Sequence, residues 1–287
     1  MLYLALSVCC SSLIFVIFKL FDVYKIQTMY AIITNYVVAC TVGLLFYTGD
    51  VIPAKIVGES WFFGTFLLGI LFIIVFNLMA RTSQSVGVSV ASVATKMSLV
   101  IPVVFGVLVY REHLGTLKIL GIILALAAVY FASIKGKRVN IKKSVLLLPI
   151  LVFLGSGIID TAIKYVQEVH ISEKEFPLFS ATVFGSAALT GLIFILLKSR
   201  KNPLRMNYRN ILGGIALGVP NYFSVYFLLK ALQHPSLNSA SVFTINNVAI
   251  VMLSTLLGIV LFKESISFRN WLGIGMAVIS IILVAFF

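Results

Sequence analysis

One stretch of this chain limits its fold more than any other. Residues 86–110 are almost all apolar or small, with a single lysine, Lys96, near the middle. A helix of about 20 apolar residues crosses the hydrocarbon core of a bilayer. Lys96 would then lie near the midplane, where an ammonium group costs roughly 2.5 to 3.5 kcal/mol unless a water-filled cavity or a buried partner receives it. The stretch therefore predicts a membrane helix beside an internal polar pocket.

The composition of the whole chain agrees with a membrane protein. Of its 287 residues, 61% are hydrophobic and 11% are charged, whereas soluble domains carry about 25% charged residues. The net charge of +13 comes from Lys and Arg in short connections, which indicates contact with membrane lipids and not with nucleic acid. Cys9, Cys10 and Cys40 lie inside apolar runs without metal-ligand spacing, so we predict no disulfide framework, metal site or cofactor.

Ten apolar runs approach the length of a membrane-spanning helix. They cover approximately residues 2–18, 28–47, 61–80, 86–110, 117–134, 145–166, 176–197, 211–232, 237–262 and 271–287. The runs lack the alternating pattern of membrane β-barrels, so we predict an all-α integral membrane fold. The connections are too short to hold a soluble domain.

The second half of the sequence repeats the first. Displacing the chain on itself lays the fourth and fifth runs on the ninth and tenth without a gap. The matched positions include Ser89 with Ser241, Gly106 with Gly258, Glu112 with Glu264, and Gly121 with Gly273. We predict two five-helix repeats, residues 1–134 and 145–287. Because each contains an odd number of spans, the second enters the membrane in the opposite orientation, which is typical of secondary transporters with a site between the repeats.

The fourth run carries a polar stripe. Ser85, Ser89, Ser92 and Lys96 follow one another at spacings of a helical turn, so they share one face of the helix. A ligand-binding stripe is one interpretation, with Ser92 and Lys96 at the site. The other is a structural ion pair of Lys96 with serines as packing residues. Lys96 aligns with Val248 in the repeat, so the lysine departs from the duplicated scaffold.

Asp160 is the only acidic residue well inside a predicted span. An intramembrane carboxylate can hold the ammonium group of a substrate, pair with Lys96 or carry a coupling proton. The sequence leaves these three roles open.

Amide and hydroxyl side chains occur at similar depth in the later spans. Asn246 and Asn247 in the ninth run occupy the depth of the polar stripe, and Asn221 and Tyr222 follow Pro220 in the eighth. Each could bind a substrate or form hydrogen bonds between helices.

The first half contains Pro102, Glu112 and Gly121 in this order, and the second half repeats the last two as Glu264 and Gly273. This pattern resembles the EamA-type permeases of the drug/metabolite transporter superfamily. The resemblance covers nearly the whole chain and implies a basket of helices around a central cavity. It would give Lys96, Asp160 and the three asparagines access to that cavity. Ser254 stands where a counterpart of Pro102 would be, so a matching bend is not expected in the ninth helix.

These observations together favour a secondary transporter that moves a small polar metabolite by alternating access. The cargo could be amino-acid-like, another anionic solute or a drug, and a proton could be coupled to its movement. The alternative is an integral-membrane enzyme acting on lipid-linked substrates, which would need paired acids or histidines at the interface. We find no such pairs and predict no catalytic residue. The expected location is the plasma (inner) membrane of a bacterium.

The orientation of the termini is left open. Lys and Arg are more abundant on the side of the odd-numbered connections, which the positive-inside rule assigns to the cytoplasm. The family resemblance places both termini there instead.

Overall fold

The structure is a computed structural model that describes residues 2–47, 49, 53–110, 115–133, 143–170, 175–199, 207–232 and 239–286. Twelve helices and no strand occur in these ranges. They are α1 (Leu2–Val23), α2 (Thr28–Phe46), α3 (Pro53–Gly58), α4 (Phe62–Ser85), α5 (Val88–Met97), α6 (Val100–Tyr110), α7 (Thr116–Ser133), α8 (Lys143–His170), α9 (Phe176–Ser199), α10 (Tyr208–Leu232), α11 (Ser239–Phe262) and α12 (Phe268–Phe286). Glu112 lies outside the described residues.

The helices follow the apolar runs, which confirms the all-α prediction. In the described part of the chain, seven segments are long and apolar enough to cross a membrane, and three shorter apolar helices accompany them. The short helix α3 was not predicted, because six residues are too few for an apolar periodicity to emerge. The protein is therefore an integral, multi-pass membrane protein.

The fourth predicted span is two helices instead of one. α5 ends at Met97 and α6 begins at Val100. Pro102 has no backbone N–H to donate to the Ser98 carbonyl one turn earlier. The Ile101 N–H donates to that carbonyl instead, at 2.9 Å, which tightens the chain at the break.

The helix that aligns with this span in the second half has no such break. α11 runs from Ser239 to Phe262, and the side chain of Ser254 donates to the Val251 carbonyl at 3.1 Å. As expected from the absence of a proline at position 254, α11 is continuous. The two halves of the chain therefore differ here, because the aligned span of the first half is divided into α5 and α6.

Two apolar cores hold the helices together. The larger one joins α1, α2, α4, α8 and α9 around the fully buried Tyr36, Phe18 and Ile32. The other joins α5, α7, α11 and α12 around Met97 and Val251. α5 lies between the cores, so its broken end is held by packing on both sides.

Glu264 ties the start of α5 to the end of α11. Its Oε1 accepts a hydrogen bond from the Val88 N–H at 2.7 Å, and its Oε2 accepts one from the Ser89 hydroxyl at 3.2 Å. A carboxylate at this position satisfies a free N–H of the first turn and complements the helix dipole. Glu264 thus caps α5 and not the helix that follows it in the chain.

Two glycines make room for this carboxylate. Gly87, which precedes α5, has a φ of 141°, a conformation that residues with a side chain rarely adopt. A Cβ on Gly258 would lie 2.7 Å from the Glu264 Oε2. The cap on α5 therefore depends on Gly87 in the first half of the chain and on Gly258 and Glu264 in the second.

We expect Glu264→Ala to lower the free energy of unfolding by about 0.5–2 kcal/mol, because the first turn of α5 loses its capping carboxylate. The measurement is the melting temperature of the purified protein in one detergent. Glu264→Gln, which keeps an acceptor oxygen but not the charge, should lie between the wild type and Glu264→Ala. The exposed neighbour Ser265 supplies the control Ser265→Ala. Equal melting temperatures for Glu264→Ala and Ser265→Ala would contradict the capping role.

Candidate functional site: a charged pair beside a helix break

Lys96 and Asp160 come close together at the broken span. Lys96 lies in the last turn of α5, where the free carbonyl groups of a helix end favour a cation. Asp160 is on α8, which packs against both α5 and α6. Each charge interacts electrostatically with the other. The break thus places opposite charges on two facing helices.

Asp160 lies on the side of α8 away from the exposed apolar residues of that helix. Protein atoms surround the residue, yet it keeps a large exposed surface. The exposed apolar residues of α8 form one stripe, which includes Leu147, Leu154 and Ile158. Asp160 is two residues beyond Ile158 and therefore about 200° around the helix from it. Its exposed surface is consequently turned away from the apolar stripe of α8.

Lys96 and Asp160 do not form a direct ion pair. Among the residues that the structure describes, no contact of 4.0 Å or less joins the Lys96 ammonium to the Asp160 carboxylate, whereas Lys25 and Asp22 form an exposed ion pair at 3.9 Å. The Lys96 ammonium donates no hydrogen bond within these same residues, and it is not sealed from solvent. Two charges that interact without touching leave a gap that water or a polar ligand can fill.

Ser98 is part of this site and was not predicted. Its hydroxyl oxygen lies 3.0 Å from Oδ2 of Asp160 and 2.5 Å from the carbonyl oxygen of Thr95. Ser98 directly follows Met97, the last residue of α5, and it is completely buried. Ser98 does not share the spacing of Ser85, Ser89 and Ser92, so the polar stripe did not reveal it. It lies one helical turn before Pro102, and this proline is the sequence signal that could have identified it.

Ser92 lies one turn before Lys96, completely buried, and donates to the Ser89 carbonyl at 2.9 Å. Asn247 is on α11, one turn from Val251, which packs against α5. Asn247 is therefore on a helix that packs against α5, and neither Ser92 nor Asn247 hydrogen-bonds to the charged pair in the described structure.

Asn246 points to another surface of α11. It shares a stripe with Ile250, which packs in the larger core together with α1. Asn246 is 2% exposed, and its Oδ1 has no hydrogen-bond partner among the described residues. Leaving a buried amide oxygen without a hydrogen bond costs about 1–3 kcal/mol. A hydrogen bond from a ligand or from water to the Asn246 Oδ1 would remove this cost.

Asn221 and Tyr222 lie on α10, which packs mainly against α1 and α2. The Asn221 amide donates to Oδ1 of Asn35 at 3.1 Å. The Tyr222 ring belongs to an aromatic cluster, with its centroid 5.7 Å from that of Phe46. The structure does not bring these two residues into contact with Lys96 or Asp160 in the part that it describes.

Cysteine accessibility distinguishes an internal opening from a lipid-facing surface. We expect a cysteine at position 160 to react with a charged, membrane-impermeant thiol reagent, because water reaches that position. Ile158→Cys is the matched control, since it lies on the lipid-facing stripe of the same helix. Both variants are made in a background with Cys9, Cys10 and Cys40 replaced by alanine. If the two cysteines react equally slowly, Asp160 does not line an aqueous space.

Comparison with known proteins identifies the family. The EamA-like transporter family matches residues 1–134 and again residues 143–286. An uncharacterized protein of Haemophilus influenzae is 31% identical over 279 residues, which cover 94% of this chain and 93% of the relative. One crystal structure superposes with a TM-score of 0.58 at 14% identity, over 97% of this chain and 96% of its own, and so shares the fold. The resemblance seen in the sequence is thereby confirmed, and the chain belongs to the EamA-like transporter family.

Proposed function

We propose that this protein is a secondary carrier for a small polar metabolite that binds between Lys96 and Asp160. The observation that carries the proposal is the pair of opposite charges at a helix break, which interact without forming an ion pair. A structural pair would normally close to direct contact, since an unpaired charge is costly in a low-dielectric environment. Two opposite charges that are not in direct contact can instead bind a ligand that contacts both of them.

The charges define the class of cargo. An anionic group, such as a carboxylate, would accept hydrogen bonds from the Lys96 ammonium. An amine would donate to the Asp160 carboxylate. A solute with both groups, such as an amino-acid-like zwitterion, satisfies both ends of the gap. Ser92 and Asn247 supply further polar groups, and Asn246 offers a free acceptor from the neighbouring helix.

The mechanism proposed for the carrier is alternating access. The repeated positions in the two halves of the sequence support ten spans arranged as two inverted five-helix repeats, residues 1–134 and 145–287. In such proteins the site lies near the midplane, where discontinuous helices supply polar groups. The break between α5 and α6 beside Lys96 is consistent with this arrangement. We place the carrier in the plasma (inner) membrane of a bacterium.

A thermal-shift screen tests the cargo class. The panel contains zwitterions, monoanions and monocations of similar size, and the measurement is the melting temperature of the purified protein with each compound. We expect zwitterions to stabilise the wild type most, because they alone satisfy both charges. Lys96→Met should remove the response to anionic groups and Asp160→Asn the response to amines. Lys25→Met, at an exposed lysine, is the control for loss of positive charge.

Transport is then measured with a stabilising compound in proteoliposomes. A carrier shows saturable uptake and counterflow, which an enzyme or a channel does not. We expect Lys96→Met to reduce both by at least about tenfold, the effect of losing one charge-assisted contact of about 1.4 kcal/mol or more. Unchanged uptake by Lys96→Met would show that the lysine is not at the site.

A further inference from the structure

The hydroxyl group of Ser98 has two close oxygen neighbours and one proton. Its oxygen lies 2.5 Å from the Thr95 carbonyl oxygen and 3.0 Å from Oδ2 of Asp160. A serine hydroxyl can donate one hydrogen bond. The two contacts are either one hydrogen bond shared between both acceptors or two separate hydrogen bonds, and two separate bonds need a second proton. A carbonyl oxygen has no proton to donate, so only the carboxyl group of Asp160 can supply it.

The two protonation states of Asp160 therefore require different arrangements. When the carboxyl group is protonated, it donates to Ser98, which donates to the Thr95 carbonyl. When the group is ionised, Ser98 donates to the carboxylate, because a charge-assisted hydrogen bond is stronger than a neutral one. The oxygen atoms of Ser98 and Thr95 are then no longer joined by a hydrogen bond, and they move apart.

This separation acts on the last turn of α5. Thr95 and Ser98 lie on either side of Lys96 in the chain, and Ser98 ends the helix. Beyond Ser98, Pro102 removes the hydrogen bond that would otherwise hold this turn to the next one. A change in the contact between Ser98 and Thr95 therefore acts on the turn of backbone that carries Lys96, while Met97 of the same turn stays packed in the apolar core.

We infer that Ser98 is a positioning residue that couples the protonation of Asp160 to the position of Lys96. This inference rests on the proposed function, because it assigns a role within the same site. Water in the internal opening delivers the proton to Oδ2 of Asp160 and takes it away again. The proton on Asp160 and an anionic group at Lys96 are thereby linked through one turn of helix.

Few other charges can take part. α4, α5, α6 and α7 all pack against α8. Within the described side chains of these helices, the charged group that interacts with Asp160 is Lys96 of α5. A pH dependence of this turn would therefore report the pair of Asp160 and Lys96, with Ser98 as the connection.

The test needs no cargo. An environment-sensitive fluorophore is attached to Leu99→Cys, next to Ser98, in the background without native cysteines, and its emission is followed from about pH 4 to about pH 9. We expect a sigmoidal change in the parent protein and its complete loss in Asp160→Asn. Ser98→Ala should also lose the change, whereas Ser98→Thr, which keeps a hydroxyl, should retain it. Ser92→Ala is the control for removing a buried hydroxyl on the same helix.

The outcomes separate this inference from the proposed function. If Ser98→Ala keeps the pH-dependent emission of the parent, Ser98 does not connect the two charges and the inference is overturned, even where Lys96→Met abolishes uptake. If emission does not change with pH in the parent, Asp160 does not control this turn, which likewise overturns it. Loss of the change in Asp160→Asn and Ser98→Ala, with retention in Ser98→Thr and Ser92→Ala, supports it whatever the cargo proves to be.

Discussion

Placing charged groups within a membrane-spanning fold is the constraint on which the rest of this structure depends. Lys96 and Asp160 each lie well inside the helix bundle, where an ammonium or carboxylate group costs several kcal/mol unless water or a partner solvates it. The protein meets this cost without closing the two groups into an ion pair. Asp160 keeps an exposed surface on the side of α8 opposite the lipid, and Lys96 lies at a helix end. Neither residue is therefore completely buried.

The break between α5 and α6 creates this arrangement locally. Pro102 removes one backbone hydrogen bond, and Ser98, at the end of α5, turns its hydroxyl toward Asp160. The start of the same helix is fixed by Glu264 from the other half of the chain. α5 is thus anchored at its first turn by Glu264 and at its last turn by Met97, which packs in an apolar core. The polar side chains of that last turn, Lys96 and Ser98, interact with Asp160.

Much of the fold follows from the sequence alone, because apolar runs of membrane length admit few structures other than helices. The positions of α1, α2 and α9 are close to those predicted, and the continuity of α11 follows from Ser254. The break at Ser98 was not predicted, since a single proline can either bend a helix or divide it. The contact of Ser98 with Asp160 joins residues 62 positions apart, and no local periodicity reveals such a contact. Asn221 was predicted on chemical type, and its partner Asn35 is visible only in the folded chain.

The most direct test of the account is a double-mutant cycle on Lys96 and Asp160 without any cargo. The free energy of unfolding, or the melting temperature in one detergent, is measured for the wild type, Lys96→Met, Asp160→Asn and the double variant. Because each charge is solvated in the open site, we predict small effects of the single variants and a coupling energy below about 1 kcal/mol. A closed structural ion pair predicts the opposite: each single variant would lose about 3–5 kcal/mol and the double variant would recover most of it. That result would contradict an open, ligand-binding pair.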